Sequence, residues 1–486
     1  GLEVPIQHVG LEEDAARKIE ESDTLSKYRI DRLGMPLVEI ATGPIIRNPK
    51  ETEEVAYAIG RILRATKKVK RGLGSIRQDV NVSIKDGAII EIKGVQKLYL
   101  LSKIVEFEAQ RQLKLLEIKD ELKVRKADEE DITENFVDVS YVFEKTTCKV
   151  LKNTLIKKRI ILAVLLKKFS GLLGLELGPN LRFGTELAHR AIFWGKVGGL
   201  FHTDELPKYG IAQEEVNSLK EEMKASEEDT VVFVADEYEK ATDALKAVVE
   251  RAKEAFHGVP EETRGPNPDG TTRYMRPRPG SARMYPETDV PPTVLIKERI
   301  SMIKQNLPPR PEKIIEEFME KHKINEKLAE QLLDSDYLYL FEDIATKTDL
   351  SLSFVATVLT ENIKSLERDG VPVDNLSENQ IIEIFNEVNR GSTAKESVVE
   401  ILEWLSKNRS STVSQAINSL GLGMIDFDSL KRIILKNVEK QRELGLKDPE
   451  IIFKKLMGSI MGEVRGKADA KTVSKLLKEE IDSRNP

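Results

Sequence analysis

Hydrophobic and polar positions alternate most strictly over residues 70–94, KRGLGSIRQDVNVSIKDGAIIEIKG. Side chains of a strand alternate with a period of two, so Ser75, Arg77, Asp79, Asn81 and Ser83 share one face. Ile76, Val80, Val82 and Ile84 share the other, interrupted only by Gln78. A second run over 88–93 sets Ile90 and Ile92 against Glu91 and Lys93. Asp86-Gly87 between the runs is a strong hairpin signal. The pattern predicts a sheet with one apolar face and one face of acids, a base and amides. A half-exposed sheet with no site has the same pattern.

Read in order, residues 1–10 predict a short strand and turn. Leu11-Glu12-Glu13-Asp14 then leads into Ala15-Ala16-Arg17-Lys18. Acids at such a boundary suit a helix N-terminus, and they equally suit a Mg²⁺ ion, which prefers carboxylate oxygens. Residues 28–42 predict two strands about Gly34-Met35-Pro36, with Glu39 inside an apolar run, where it needs a partner or an open face. An amphipathic helix over 49–68 starts from the N-cap pair Asn48-Pro49. A second long helix follows over 103–124.

From about residue 127 the texture changes. A strand is expected within 133–141, a buried strand over 231–235 and a helix over 238–256, together an α+β domain inserted in the chain. Residues 262–292 are rich in Pro, Gly and Arg without helical period and predict a long loop. Its arginines Arg264, Arg273, Arg276, Arg278 and Arg283 suit phosphate, or a basic solvated linker. Beyond residue 293 everything reads as helix, with segments at 311–322, 326–333, 354–366 and 378–389 and a joint at 390–393. Near the end, Arg465 and Lys467 in a glycine-rich turn, with Lys471 just after, open the last helix, where amides and cations suit a phosphate.

Composition narrows the class. With 486 residues about three domains are expected. A hydrophobic share of 40% and a charged share of 33% describe a soluble globular protein, rich in Lys and Glu. The single Cys148 excludes an intrachain disulfide and a thiolate zinc site, so a reducing, cytoplasmic setting is expected. No apolar run reaches the ~18 residues that a membrane span needs. The net charge of −6 argues against indiscriminate nucleic-acid binding, not against local basic patches. No phosphate-binding P-loop, HExxH or GxSxG motif is present, and the five histidines have no metal spacing. Phosphate chemistry here would need carboxylates with Mg²⁺.

Several stretches occur together and in order: Leu11 to Ala15 (LEEDA), Asp31 to Ile40 (DRLGMPLVEI), Gly74 to Ser83 (GSIRQDVNVS), Tyr274-Met275-Arg276, and Tyr285 to Pro292 (YPETDVPP). This set resembles the GatB/GatE family of tRNA-dependent amidotransferase subunits. Gly199 to Pro207 (GLFHTDELP) resembles the insertion domain of bacterial-type aspartyl-tRNA synthetases, which only the archaeal branch of that family carries. The resemblance covers essentially the whole chain. It implies an α+β multidomain fold: a mixed-sheet cradle at 1–127, the inserted domain at 128–258, a return to the cradle at 259–300, an all-α helical domain at 301–390 and a YqeY-like tail at 391–486. The family's opening strand, with a Glu-x-His pair completing its metal site, has no counterpart before Leu11, so the cradle is expected to be incomplete at its N-terminus.

The resemblance also implies a reaction, ATP-dependent amidation of Glu-tRNA(Gln) to Gln-tRNA(Gln), with ammonia from the asparaginase-like subunit GatD. The expected cofactors are ATP and Mg²⁺, and the expected assembly is a GatDE heterodimer or a dimer of heterodimers that binds tRNA(Gln) charged with glutamate, without a membrane. By resemblance Glu12, Asp79 and Glu91 are the metal-binding and catalytic acids. Arg77 and Lys93 share their face as catalytic and nucleotide-binding cations, joined by Arg276 and Arg283, and Arg465, Lys467 and Lys471 are expected on tRNA. The competing expectation is a non-catalytic tRNA-binding remnant of the same family.

Overall fold

The computed structural model describes residues 2–22, 24–70, 74–278, 294–442, 449–464 and 467–484. They form two compact units, 1–60 with 73–293 and 61–72 with 294–486.

The first unit opens with four strands: β1 (Ile6–Glu13), β2 (Arg17–Glu21), β3 (Ser26–Arg29) and β4 (Pro36–Thr42). They make two nested antiparallel pairs, β1 with β4 and β2 with β3. Leu11 and Glu12 stand opposite Val38 and Leu37. The acids at 12–14 therefore close a strand and do not open a helix, because β4 satisfies their backbone groups. Glu39 lies on the open face and is exposed. Helix α1 (Pro49–Ala65) begins as expected, with Asn48 Oδ1 accepting from the Glu51 amide at 3.0 Å. It stops short of residue 68, and Lys67 takes a left-handed φ of 56°.

The alternating stretch forms β5 (Gln78–Val82) and β6 (Ile90–Val95), turned at Asp86-Gly87. Helix α2 (Tyr99–Val124) has two halves with different neighbours. Leu100, Leu101 and Ile104 pack beneath the apolar side chains of β5 and β6. Leu115, Ile118 and Leu122 belong instead to the core of the inserted region. The second half of α2, ahead of the boundary expected at 127/128, thus packs with the insert.

The inserted region contains β7 (Val137–Asp138), α3 (Lys149–Ile156), β8 (Ile160–Leu166), β9 (Glu176–Gly178), β10 (Leu181–Arg182), α4 (Phe183–Gly195), β11 (Phe201–His202), α5 (Gln213–Glu222), β12 (Thr230–Asp236) and α6 (Tyr238–His257). Its main sheet has the order β11-β12-β8-β7. Leu162, Val164, Val232 and Val234 face a core shared with α4 and α6, while Ile161, Ala163, Val231 and Phe233 face another. Burial on both faces is why these strands read as unbroken apolar runs. The strand expected within 133–141 shrinks to Val137–Asp138, followed by a 3₁₀ turn at Ser140–Phe143.

Over its described residues, 262–278, the predicted long loop is a hairpin, β13 (Glu262–Pro266) and β14 (Thr272–Pro277). Asp269-Gly270 turns it, with Gly270 at a φ of 94° and the Asn267 amide donating to the Thr271 carbonyl at 2.8 Å. β13 joins β6 in parallel, so the cradle sheet runs β14-β13-β6-β5.

The second unit is helical throughout its described residues, with helices at Pro311–His322, Glu326–Asp334 and Glu378–Asn389 as the periodicity predicts. The helix expected over 354–366 is interrupted by a π-helical turn at Val358–Asn362. One apolar core runs from Ile314 through Ile384 and Val398 to Leu422. Residues on both sides of the joint expected at 390–393, Val388 and Val398, belong to this one core. A separate core, from Leu430 to Ile481, holds the last three helices together. Among the described residues no helix is long and apolar enough to cross a membrane.

Candidate active site on the cradle sheet

One residue row crosses all four strands of the cradle sheet. Asn81 stands opposite Glu91, Glu91 beside Thr263, and Thr263 opposite Arg276. The register of β5 and β6 slips between Gln78 and Val80, so that Asp79 alone faces both Lys93 and Gly94. Gly94 takes a φ of 78°, the left-handed conformation that lets one extra residue bulge from a strand. The bulge directs the Gly94 amide to Asp79 Oδ1 at 2.8 Å.

Lys93 Nζ then sits between two carboxylates, 3.3 Å from Asp79 Oδ2 and 3.0 Å from Glu91 Oε1. The other oxygen of Glu91, Oε2, accepts from the Thr263 hydroxyl at 3.0 Å. Partial burial pulls the lysine pKa down, but its bonds to Glu91 and Asp79 outweigh this, and the ammonium is held above its ordinary range. Asp79 and Lys93 remain substantially exposed, so the cluster is open to a ligand.

The other expected site residues lie elsewhere. Arg77 precedes β5 and points its Nη2 to Asp14 Oδ1 at 3.9 Å. Asp14 is bound more closely by Arg32, at 2.6 Å, and that hydrogen bond holds its carboxyl below the usual range. The segment of Leu11 to Asp14 therefore meets the arginine of the hairpin through Asp14. Glu12 is exposed on β1, in a separate two-stranded sheet. Among the described residues no three acid, histidine or cysteine side chains converge as a metal would require, so the expected trio Glu12, Asp79 and Glu91 is divided. What remains is a pair of hard-oxygen carboxylates on an open face. That donor set suits Mg²⁺, which binds through one or two carboxylates and keeps waters or phosphate oxygens for the rest.

The arginines expected on phosphate are also divided. Arg264 is buried, held by Glu262 and by Thr272, and has no open face. Arg273 bonds the Pro266 carbonyl and Asn267, and Arg278 lies 3.7 Å from Glu261. Arg276 keeps its place in the row. Arg283 and the Tyr285 to Pro292 motif lie outside the described residues, as does Arg465. Lys471 is exposed in the first turn of the last helix, Ala470–Arg484. Its N-terminus is already capped, because Asp469 Oδ2 accepts from the Thr472 amide at 3.0 Å. Lys467 is half-buried, and its carbonyl accepts from the Ile425 amide at 2.9 Å.

Behind the sheet lies a second charged group that periodicity did not reveal. Arg111 of α2 bonds Glu108 at 3.0 Å and Glu186 of α4 at 2.6 Å. Glu186 also takes Arg251 of α6 at 3.0 Å and Arg264 of β13 at 3.2 Å. Arg190 reaches Glu262 at 2.9 Å and Glu254 at 3.0 Å, and its guanidinium stacks 4.0 Å from the Tyr274 ring centroid. Burial alone would raise the carboxyl pKa of Glu186. The guanidinium groups of Arg111, Arg264 and Arg251 reverse that, and it is held far below the usual carboxylate range. Burial of Arg111 is likewise outweighed by Glu108, Glu186 and Glu262, which keep it charged.

Two residues of the site were missed, Thr263 and Gly94. Asp269-Gly270 between alternating runs is the signal that found the first hairpin, and it places Thr263 on a strand equally well. Gly94 directly after Lys93, where the alternation ends, marks the bulge.

The fold and the site together define a protein with a carboxylate-and-lysine sheet as its working surface, a large α+β insert, and an all-helical continuation. A family model described as the GatB/GatE catalytic domain matches residues 2–301, and one described as the GatB domain matches residues 339–481. The chain belongs to the GatB/GatE family, on the GatE branch. It is 47% identical over 480 residues to a Methanocaldococcus jannaschii protein named as the E subunit of glutamyl-tRNA(Gln) amidotransferase, covering 98% of this chain and 76% of that relative. Proteins of the same name are similar in Thermococcus gammatolerans, at 44% identity over 98% of this chain and 76% of the relative, and in Pyrococcus abyssi, at 46% over 91% and 69%.

Proposed function

We propose that this chain is the tRNA-acting, ATP-dependent subunit of a glutamyl-tRNA(Gln) amidotransferase. The γ-carboxylate of tRNA-bound glutamate attacks the γ-phosphorus of ATP and releases ADP. Ammonia then attacks the acyl carbon and displaces phosphate, leaving Gln-tRNA(Gln). The observation that carries the reading is Lys93, held as a cation between Asp79 and Glu91 on an open sheet face. Phosphoryl transfer needs positioning and charge neutralisation more than covalent help, and a fixed ammonium beside carboxylates supplies both.

In this reading Lys93 neutralises the transferred phosphoryl group. Asp79 and Glu91 would hold Mg²⁺, which when bound would screen the phosphate oxygens. Glu12, on its separate two-stranded sheet, is a further acid by the family likeness alone. Arg77 and Arg276 contribute positive charge to ATP, and Lys467 and Lys471 meet tRNA. The insert, by its likeness to the aspartyl-tRNA synthetase insertion, serves tRNA too. Ammonia comes from the asparaginase-like subunit GatD, in a heterodimer or a pair of them.

The test is ATP turnover dependent on Glu-tRNA(Gln), with Mg²⁺ and the asparaginase-like partner. Asp79→Ala and Glu12→Ala are expected to lower it. Unchanged rates reject the site assignment. If the unmutated protein binds tRNA tightly but shows no turnover, the non-catalytic, tRNA-binding alternative holds instead.

A further inference from the structure

Glu91 has three kinds of neighbour, and only one comes from the far side of the insert. It lies between Asn81 and Thr263 in the sheet row, and Lys93 takes one of its oxygens. The second oxygen is held by Thr263 Oγ1 at 3.0 Å, across 172 residues of sequence. Thr263 itself is fully buried, so no water competes for its hydroxyl.

The strand that carries Thr263 is fixed from behind. Its two neighbours in sequence, Glu262 and Arg264, point to the opposite face of β13, as alternation requires. There Arg264 meets Glu186 at 3.2 Å, and Glu262 takes Arg190 at 2.9 Å. Glu186 and Arg190 both stand on α4 of the insert. Two ionic contacts from the inserted region therefore hold β13 on each side of Thr263, reinforced by Arg111 of α2, 3.4 Å from Glu262, and Glu108 of α2, 3.8 Å from Arg264. A strand held this way cannot slide or rotate without breaking buried ion pairs.

We propose that Thr263 is a positioning residue for Glu91, and that the insert sets the geometry of the active face through it. The hydroxyl fixes the rotamer of the carboxylate and leaves Oε1 to Lys93 and the ligand. The inference rests on the amidotransferase reading of the site, in which Glu91 is a working acid.

The experiment compares Thr263→Val with Thr263→Ser in the complete subunit with its asparaginase-like partner. Valine keeps the branched shape and loses the donor; serine keeps the donor and loses the methyl group. The readouts are kcat and KM for Glu-tRNA(Gln)-dependent ATP turnover, and the thermal midpoint without substrates. For a positioning role, Thr263→Val lowers kcat by about tenfold or more, as loss of a hydrogen bond to a charged group implies. Its KM for tRNA stays within about twofold, since the tRNA contacts are untouched. Thr263→Ser retains most of the rate. A role in packing alone gives the reverse order, with valine near the unmutated rate and serine below it in both rate and midpoint, and that result overturns the proposal. If the unmutated enzyme shows no tRNA-dependent turnover, the functional reading itself has failed. If it turns over and Thr263→Val matches it, only the positioning role has.

Discussion

The cradle sheet has a charged cluster on each face, one on β5 and β6 and one behind β13, and the two are built on opposite terms. On the open face Lys93, Asp79 and Glu91 make few contacts and are partly exposed to water. On the inner face Arg111, Arg251, Arg264, Glu108, Glu186 and Glu262 are almost fully buried and bound to one another. Either cluster looks like a catalytic constellation in a bare inventory of residues. The difference is spare capacity. The outer cluster keeps carboxylate oxygens that a ligand can reach, whereas the inner one has committed its charges to structure. Buried ion pairs of this kind are costly to form and costlier to break one-sidedly.

The sharpest way to break the comparison is Glu186→Gln. It removes the anion shared by Arg111, Arg251 and Arg264 and leaves three guanidinium groups short of charge. The expected loss is about 3–5 kcal/mol, read by denaturant unfolding of the first unit. A loss below about 1 kcal/mol would mean that the inner cluster is no more committed than a surface pair. Acid adds a second readout. Glu186 and Glu262 have carboxyls held below their ordinary value of 4.5. Their stabilisation is therefore complete above that value and is lost as pH falls through the depressed pKa. Glu254 runs the other way: burial outweighs Arg190 and Arg251 and raises its pKa, so its contribution weakens as pH rises through the raised value. Glu186→Gln should flatten the acid limb of the stability profile, and Glu254→Gln should not.

Lys93→Ala tests the open face by the opposite signature. Turnover should fall by about 100-fold, the cost of removing one group aimed at developing charge. Stability should change by less than about 1 kcal/mol, as expected of an exposed ion pair. A large stability loss with normal turnover would assign Lys93 to structure and remove the contrast between the faces.

The hairpin was legible because each strand has one wet face, so its residues alternate and Asp86-Gly87 punctuates them. The helical segments at 311–322 and 378–389 were legible for the same reason, an apolar stripe against solvent. Helix α2 was not. Glu108, Arg111 and Gln112 have the composition of a solvent face, yet they are buried, because their partners Glu186 and Glu262 lie 75 and 151 residues further along the chain from Arg111. No local period encodes such a pairing. The Arg-rich stretch misled in a similar way. Arg264 reads as a phosphate ligand until β13 is seen to carry it inward, and Thr263 beside it reads as nothing at all.

A smaller effect bears on how the open cluster is aimed. Gly94→Ala adds a methyl group with no heavy atom within 4 Å, so crowding plays no part. The φ of 78° is what it opposes, at about 1–2 kcal/mol for a residue with a Cβ. If the bulge aims Lys93 and Asp79 at each other, turnover should fall as well, though by less than in Lys93→Ala. Gly94→Asn, which tolerates the left-handed region better, should lie between. Loss of stability with full turnover would separate the bulge from the site.

The smallest expected effect concerns the last helix, where exposed charge has no buried support at all. Lys471 is a candidate for tRNA, but Asp469 caps the same N-terminus and places an anion where a phosphate would bind. Asparagine caps nearly as well as aspartate, so Asp469→Asn should change stability by no more than about 0.5 kcal/mol. It removes the competing charge, and tRNA affinity should rise by about twofold, the scale of a surface charge near a helix end. Lys471→Ala should reduce the slope of log affinity against log salt by about one unit, the signature of one lost phosphate contact. Both are read from tRNA binding at several stated salt concentrations, because a single salt cannot separate a lost contact from a general change in field. A slope unchanged by Lys471→Ala, with affinity unmoved by Asp469→Asn, takes this helix end out of the tRNA footprint. The basic tail would then be a solvated surface, and of these charged groups only the outer face of the cradle sheet would be left with a ligand to meet.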